Sequence, residues 1–159
     1  MSIPQFFVTR WEQEQNAFGK VLRALPGDQL DYRPHERSTS AGDLAWQLAQ
    51  EQRGMCELIQ KGQQIWDNPP RPASLDGIVA EWDAATNELR NCLQSLDDAK
   101  CAGPCNFIMG GKPVWSDTLG NMLWGYLFDM VHHRGQLSTY IRPMGGKVPS
   151  IYGPSADEQ

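Results

Sequence analysis

Four stretches of apolar residues at helical spacing, each closed by Pro or Gly, constrain this chain more than any other feature. In the third stretch Leu75, Val79, Trp82, Thr86, Leu89, Leu93 and Leu96 alternate by four and three, the signature of one buried helix face. Ser74 stands before it as an N-cap. The first stretch, about Gln5 to Leu25, places Phe7, Trp11, Phe18, Leu22 and Leu25 on one face and ends at Pro26-Gly27. The second, Ala41 to Lys61, carries Leu44, Leu48, Met55 and Leu58/Ile59, with Ser40 as cap and Asp43 in the first turn. The fourth is expected to start after Ser116, with Asp117 in its first turn. It runs to about Ile141 through Leu119, Leu123, Tyr126/Leu127, Met130 and Leu137, and Pro143 and Gly145-Gly146 stop it.

No strand alternation of useful length and no internal repeat stand out. The expected fold is all-α: a four-helix bundle with long loops. The connections at 26–41 and 62–74 are Pro-containing. Residues 97–116 form a third, unusually long loop, of the kind that often builds a functional rim. Lys147 to Gln159 reads as a Pro/Gly-containing extended tail. Its Ile151 and Tyr152 are expected to dock across the end of the bundle and wall a cavity or dimer surface. The 159 residues suit a single domain spanning 1–159.

Charge and composition exclude several classes. Lys plus Arg is 14 against 19 for Asp plus Glu, net -5, with no basic cluster. Nucleic-acid binding, which needs phosphate neutralisation, is not expected, and neither is a polybasic membrane anchor. No apolar run approaches the roughly 18 residues a membrane span needs. The first residues lack a basic n-region and an apolar h-region, so a cytoplasmic location is expected. The four cysteines, Cys56, Cys92, Cys101 and Cys105, are then expected to be ordinary reduced thiols. Cys101 and Cys105 have neither redox nor zinc-ribbon spacing.

Polar residues on apolar faces mark the candidate site. Asp129 and His133 are four apart on the fourth helix, and His133 is in phase with Tyr126, Met130 and Leu137. Two donors at this spacing make half a metal site, or else a satisfied hydrogen-bonded pair. Gln47 and Glu51 repeat the spacing beside Leu44 and Leu48, and would converge with the first pair if the two helices face each other. His132 projects about a quarter-turn from His133, so the two are not expected to share an ion. His35, beside Pro34, reads as surface. Phosphate loops, Gly-x-Ser-x-Gly and His-Glu-x-x-His are absent.

The segment from Asp129 through His132-His133-Arg134-Gly135-Gln136 to Gly146, with the Pro149-Ser-Ile-Tyr-Gly-Pro-Ser-Ala-Asp157 string, closely resembles the C-terminal helix and tail of DinB-like (DinB/YfiT-type) proteins. Ser40 to Glu51 resembles the family's second-helix motif. The resemblance implies a four-helix bundle with a mirror variant of up-and-down topology, often a homodimer. It also implies a metal site of three histidines, one on the second helix and two at i, i+4 on the fourth. The matching positions are Gln47, Asp129 and His133, and only His133 keeps the family residue. The implied chemistry is that of a metal-dependent transferase using a low-molecular-weight thiol, or of a hydrolase. Zn or Ni, with Mn as a further choice, would be held weakly by Gln47, Asp129 and His133, and Glu51 would stand behind them or act as general base. The loss of two histidines equally fits a degenerate member that binds a small ligand or partner without metal chemistry.

Overall fold

The computed structural model describes residues 2–158. Five helices and three strands follow in the order α1 (Ile3–Arg23), α2 (Ala41–Lys61), β1 (Gln63–Trp66), α3 (Leu75–Leu93), α4 (Asp98–Ala102), β2 (Pro104–Met109), β3 (Lys112–Thr118) and α5 (Leu119–Ile141). The four long helices begin on side-chain caps. Ser2, Ser40, Ser74 and Thr118 accept from the backbone N–H three residues on, satisfying donors that the first turn leaves free. Gly62, at φ +68°, closes α2 in the left-handed conformation and returns its N–H to Leu58.

The all-α expectation is corrected here: a three-stranded mixed sheet accompanies the helices, so the molecule is not a pure four-helix bundle. The loop at 62–74 contains β1, and the long loop at 97–116 contains α4, β2 and most of β3. β1 pairs parallel with β2, Gln63 opposite Asn106 through Trp66 opposite Met109, and the crossover between them is α3 and α4. β2 and β3 form an antiparallel hairpin, with Phe107 opposite Trp115 and a register shift at Phe107/Ile108. Gly110 and Gly111 make its turn at φ +58° and +77°, values that favour glycine and match the twist of paired strands. The last helix accordingly starts at Leu119, because residues up to Thr118 are paired in β3.

α2 is the central helix, packed on α3 on one side and on α5 on the other. Trp11, Phe18, Leu48, Met55, Trp82, Met122 and Met130 are fully buried between the long helices. Each such side chain contributes about 1.5 to 3 kcal/mol. Gln52, buried on α2, ties three helices: it accepts from the Trp11 indole (2.9 Å) and donates to Gln15 (2.7 Å) and Thr86 (3.2 Å). Cys56 and Cys92, expected as reduced thiols, are joined as a disulfide between α2 and α3, with Cα atoms 5.8 Å apart. The pairing of these two helices brings the two cysteines together from 36 residues apart. Cys101 and Cys105 are free.

The tail also departs from the extended form expected of it. It folds back on itself: Asp157 accepts from the Val148 N–H (2.9 Å), and Ser155 donates to the Val148 carbonyl (2.6 Å). Val148 and Ile151 pack partly against the core. Tyr152 stays 72% exposed; its hydroxyl docks, donating to Glu14 (2.6 Å) and accepting from Arg134, whose guanidinium also lies over one face of the ring. This contact lies between α1 and α5, and no described tail residue lines the main cavity.

Candidate metal centre

α2 and α5 face each other with one polar pair apiece. A four-residue step on a helix stacks side chains on one face, so Gln47 and Glu51 rise from α2 opposite Asp129 and His133 on α5. His133 is the hinge of the group. Its Nδ1 lies 3.1 Å from Glu51 Oε1, and its Nε2 lies 3.8 Å from Asp129 Oδ1. Gln47 donates its amide to Glu51 Oε1 (2.9 Å), and the same nitrogen is 3.5 Å from His133 Nε2.

Glu51 is 3% exposed, whereas Asp129 opens to solvent. Burial pushes the Glu51 carboxyl upward, with the Asp129 charge adding to it, and the contacts to His133 and Gln47 only partly oppose this. For His133 burial favours the neutral ring, but the Glu51 hydrogen bond and the charges of Glu51 and Asp129 outweigh it and hold the imidazole above its ordinary range.

Donor atoms of Glu51, Asp129 and His133 all lie within 4.8 Å of one another, a group that can hold a metal ion. Glu51 Oε2 is buried without a hydrogen-bond partner. An orphaned carboxylate oxygen inside a protein is costly, and a cation is the partner that two carboxylates and an imidazole suit. Gln47 turns its amide N–H, a donor, to the site and orients Glu51. His132 lines the cavity with its ring centroid 5.5 Å from that of His133 but is not among the three. His35 is exposed and accepts from the Arg37 N–H (3.1 Å).

The group lies on the wall of a cavity of about 710 Å³. The helices supply its polar side, and the sheet supplies an aromatic one: Trp66 from β1, Phe107 from β2 and Trp115 from β3. Trp115 lies parallel to Tyr126, 6.1 Å between centroids, and it reaches that position because residue 125 is glycine: a Cβ there would collide with the indole. Gly54 likewise leaves room for Gln64, which accepts from the Tyr126 hydroxyl. The aromatic wall comes from segments read as loops, and the Gly-Gly pair between Phe107 and Trp115 was the one signal that marked it.

Two facing helices that bring two carboxylates and one histidine to the wall of a cavity, with a small sheet on its other side, form a scaffold with a group that could hold a metal ion. The DinB family model matches residues 1–159, and the chain belongs to that family. It is 26% identical over 158 residues to the uncharacterised protein YrdA of Bacillus subtilis (strain 168), covering 96% of this chain and 89% of the relative. Its fold is similar to the crystal structure of a DinB-like protein from Bacillus cereus ATCC 10987, at TM-score 0.74 and 22% identity over 92% of this chain and 95% of that one. It is also similar to the DinB-like protein YjoA of Bacillus subtilis, at TM-score 0.71 and 17% identity over 96% and 98% of the two chains.

Proposed function

We propose that this protein is a metal-dependent enzyme of the transferase or hydrolase type, holding a divalent ion between α2 and α5 and acting on a small molecule in the adjoining cavity. The observation that carries the reading is the meeting of Glu51, Asp129 and His133 around the unpartnered Glu51 oxygen. Such an ion supplies Lewis-acid polarisation and a place where a thiol or water loses its proton near neutral pH. The chain's own residues do the rest. Glu51 and His133 give buried donors and Asp129 an exposed one, while Gln47 fixes the Glu51 carboxylate. The sheet aromatics exclude water from one side of the site. Zn, Ni and Mn are the candidate ions. The two carboxylates suit Mn, and the His133 imidazole suits Zn and Ni.

Isothermal titration of tag-free protein with zinc, nickel and manganese tests this, alongside metal analysis after purification. Asp129→Ala and His133→Ala are each expected to lower affinity at least tenfold. Unchanged metal content in both variants removes the site. One observation favours a second reading, a ligand-binding member without metal chemistry: Gln47, Glu51 and His133 already hydrogen-bond to one another. Absence of saturable binding for all three ions selects it. We also propose a homodimer. Phe6 is half exposed although it lies on the Trp124 ring, 5.7 Å between centroids, which leaves apolar surface for a second copy. Light scattering is expected to give twice the 17.9 kDa chain mass, and the monomer mass at micromolar concentration counts against it.

A further inference from the structure

The cavity next to the carboxylates has an unusual balance of walls. Trp66, Phe107, Trp115, Tyr126 and Phe128 present rings to it, and Glu51 and Asp129 are its charged groups. Among the described residues no Lys or Arg lines it. Two apolar side chains left open to solvent, Phe128 at 65% and Met109 at 47%, both belong to its wall. Exposed apolar area gathered at one opening marks a binding site. The rings are set in advance: Trp115 is seated on α5 over Gly125 and parallel to Tyr126, and Trp66 packs edge-on against Phe107 at 6.3 Å. A volume of about 710 Å³ falls in the range of drug-sized ligand pockets.

We propose that this cavity takes a ring-bearing small molecule that carries no anionic group, its flat body against the sheet aromatics and a neutral or amine head toward Glu51 and Asp129. Ring faces are negative and attract cations as well as other rings. The two carboxylates add to that field, His133 beside Glu51 offsets only part of it, and among the described residues no guanidinium or ammonium on the wall compensates a phosphate or carboxylate. Phosphorylated and carboxylated metabolites are therefore poor occupants of the metal-free site. An ion at Glu51, Asp129 and His133 cancels most of the negative charge. It leaves the aromatic preference and removes the advantage of a cation over a neutral molecule. The proposal names the substrate class of the metal reading above and rests on it only for this last point.

Three naphthalene probes of one shape separate the terms: 2-naphthylmethylamine, 2-naphthylmethanol and 2-naphthylacetate, titrated calorimetrically into the full chain with and without saturating zinc. Without zinc the ammonium probe is expected to bind at least tenfold tighter than the alcohol, and the alcohol at least tenfold tighter than the carboxylate. With zinc the ammonium's lead over the alcohol falls below threefold. Phe128→Ala, at a position 65% exposed, and Trp66→Ala each weaken the alcohol at least fivefold. Carboxylate binding as tight as the alcohol in zinc-free protein, or alcohol binding untouched in both variants, overturns the proposal. If zinc binds at the cluster but no probe binds, this inference fails and the metal reading stands. If the probes rank as expected with no zinc effect and no zinc binding, the metal reading fails and the aromatic site stands.

Discussion

At the scale of single residues two buried carboxylates, Glu51 and Glu14, have opposite characters. Around Glu51 the cost of burial, with the Asp129 charge added, exceeds what His133 and Gln47 offset, and one oxygen lacks a partner among the described residues. Around Glu14 the balance is closed. Arg134, 2% exposed, donates to Glu14 at 2.6 Å, and its guanidinium lies between the rings of Phe18 (4.8 Å) and Tyr152 (4.9 Å). Burial alone would raise the Glu14 carboxyl, but the Tyr152 and Arg134 hydrogen bonds and the Arg134 and Arg10 charges hold it below its usual range. The difference predicts a site for each effect. Arg134→Ala leaves a buried carboxylate short of its partner and should cost about 3 to 5 kcal/mol, a fall in melting temperature of roughly 6 to 20 °C for a domain of this size. A fall under 2 °C would show that the pair adds nothing. A folded-state pKa below the unfolded one means that Glu14 stabilises fully above about pH 4.5 and loses that contribution as pH falls through its folded value. Melting temperature should therefore drop between pH 5 and 3 more steeply in the wild type than in Glu14→Gln. Parallel curves would assign the acid sensitivity to other groups.

At the scale of elements, what could be read from the chain depended on how local the determining signal was. α2 begins and ends where its cap and stop signals put it, Ser40 and Gly62, because capping is decided within four residues. α3 starts after Ser74 as its cap implies but ends at Leu93, since the apolar phase continues to Leu96 after the helical hydrogen bonds stop. The strands were hidden for a different reason. β1 is four residues long and pairs in parallel with a segment some forty residues on, and no short window records such a partner. The β2–β3 hairpin did leave a local mark, Gly110-Gly111, which is legible as a two-residue turn only when the flanks are tested as strands. The polar pairs on α2 and α5 were legible by spacing. Which α2 member lies deeper, Glu51 rather than Gln47, depends on where the helices approach, and that is a tertiary fact. The sheet's role as a wall predicts the effect of Gly125→Ala. The new methyl meets the Trp115 ring, which should shift the indole and destabilise by about 1 to 3 kcal/mol. Trp115 fluorescence should move with it, read against a Trp115→Phe background, while far-ultraviolet circular dichroism stays constant. An unaltered spectrum and melting temperature would mean that the close approach is not needed.

At the scale of the whole molecule the C-terminal tail joins the first and last long helices. Lys20 on α1 reaches the Ser150 carbonyl and hydroxyl at 3.3 Å each, and Arg142 at the end of α5 holds Asp157 at 2.9 Å. Tyr152 places its hydroxyl on the Glu14–Arg134 pair that spans the same two helices. With the ring mostly in water, the tail's contribution comes from that hydroxyl and from the half-buried Val148 and Ile151. Two variants separate these. Tyr152→Phe removes the hydroxyl's two hydrogen bonds, the one donated to Glu14 and the one accepted from Arg134, together worth about 2 kcal/mol at this partly exposed position, or roughly 4 to 8 °C of melting temperature. Truncation after Gly146 removes the apolar contacts as well and should cost about 3 kcal/mol, since the ordering entropy of the lost residues is recovered and offsets part of the gain. The truncated chain is therefore expected to melt below Tyr152→Phe, and both below the full chain. Limited proteolysis should spare residues 148–155 in the wild type and cleave near them in Tyr152→Phe. A truncated protein that melts within a degree of the full chain would show that the α1–α5 junction stands without its strap. Equal melting of the two variants would assign the whole effect to the tyrosine hydroxyl.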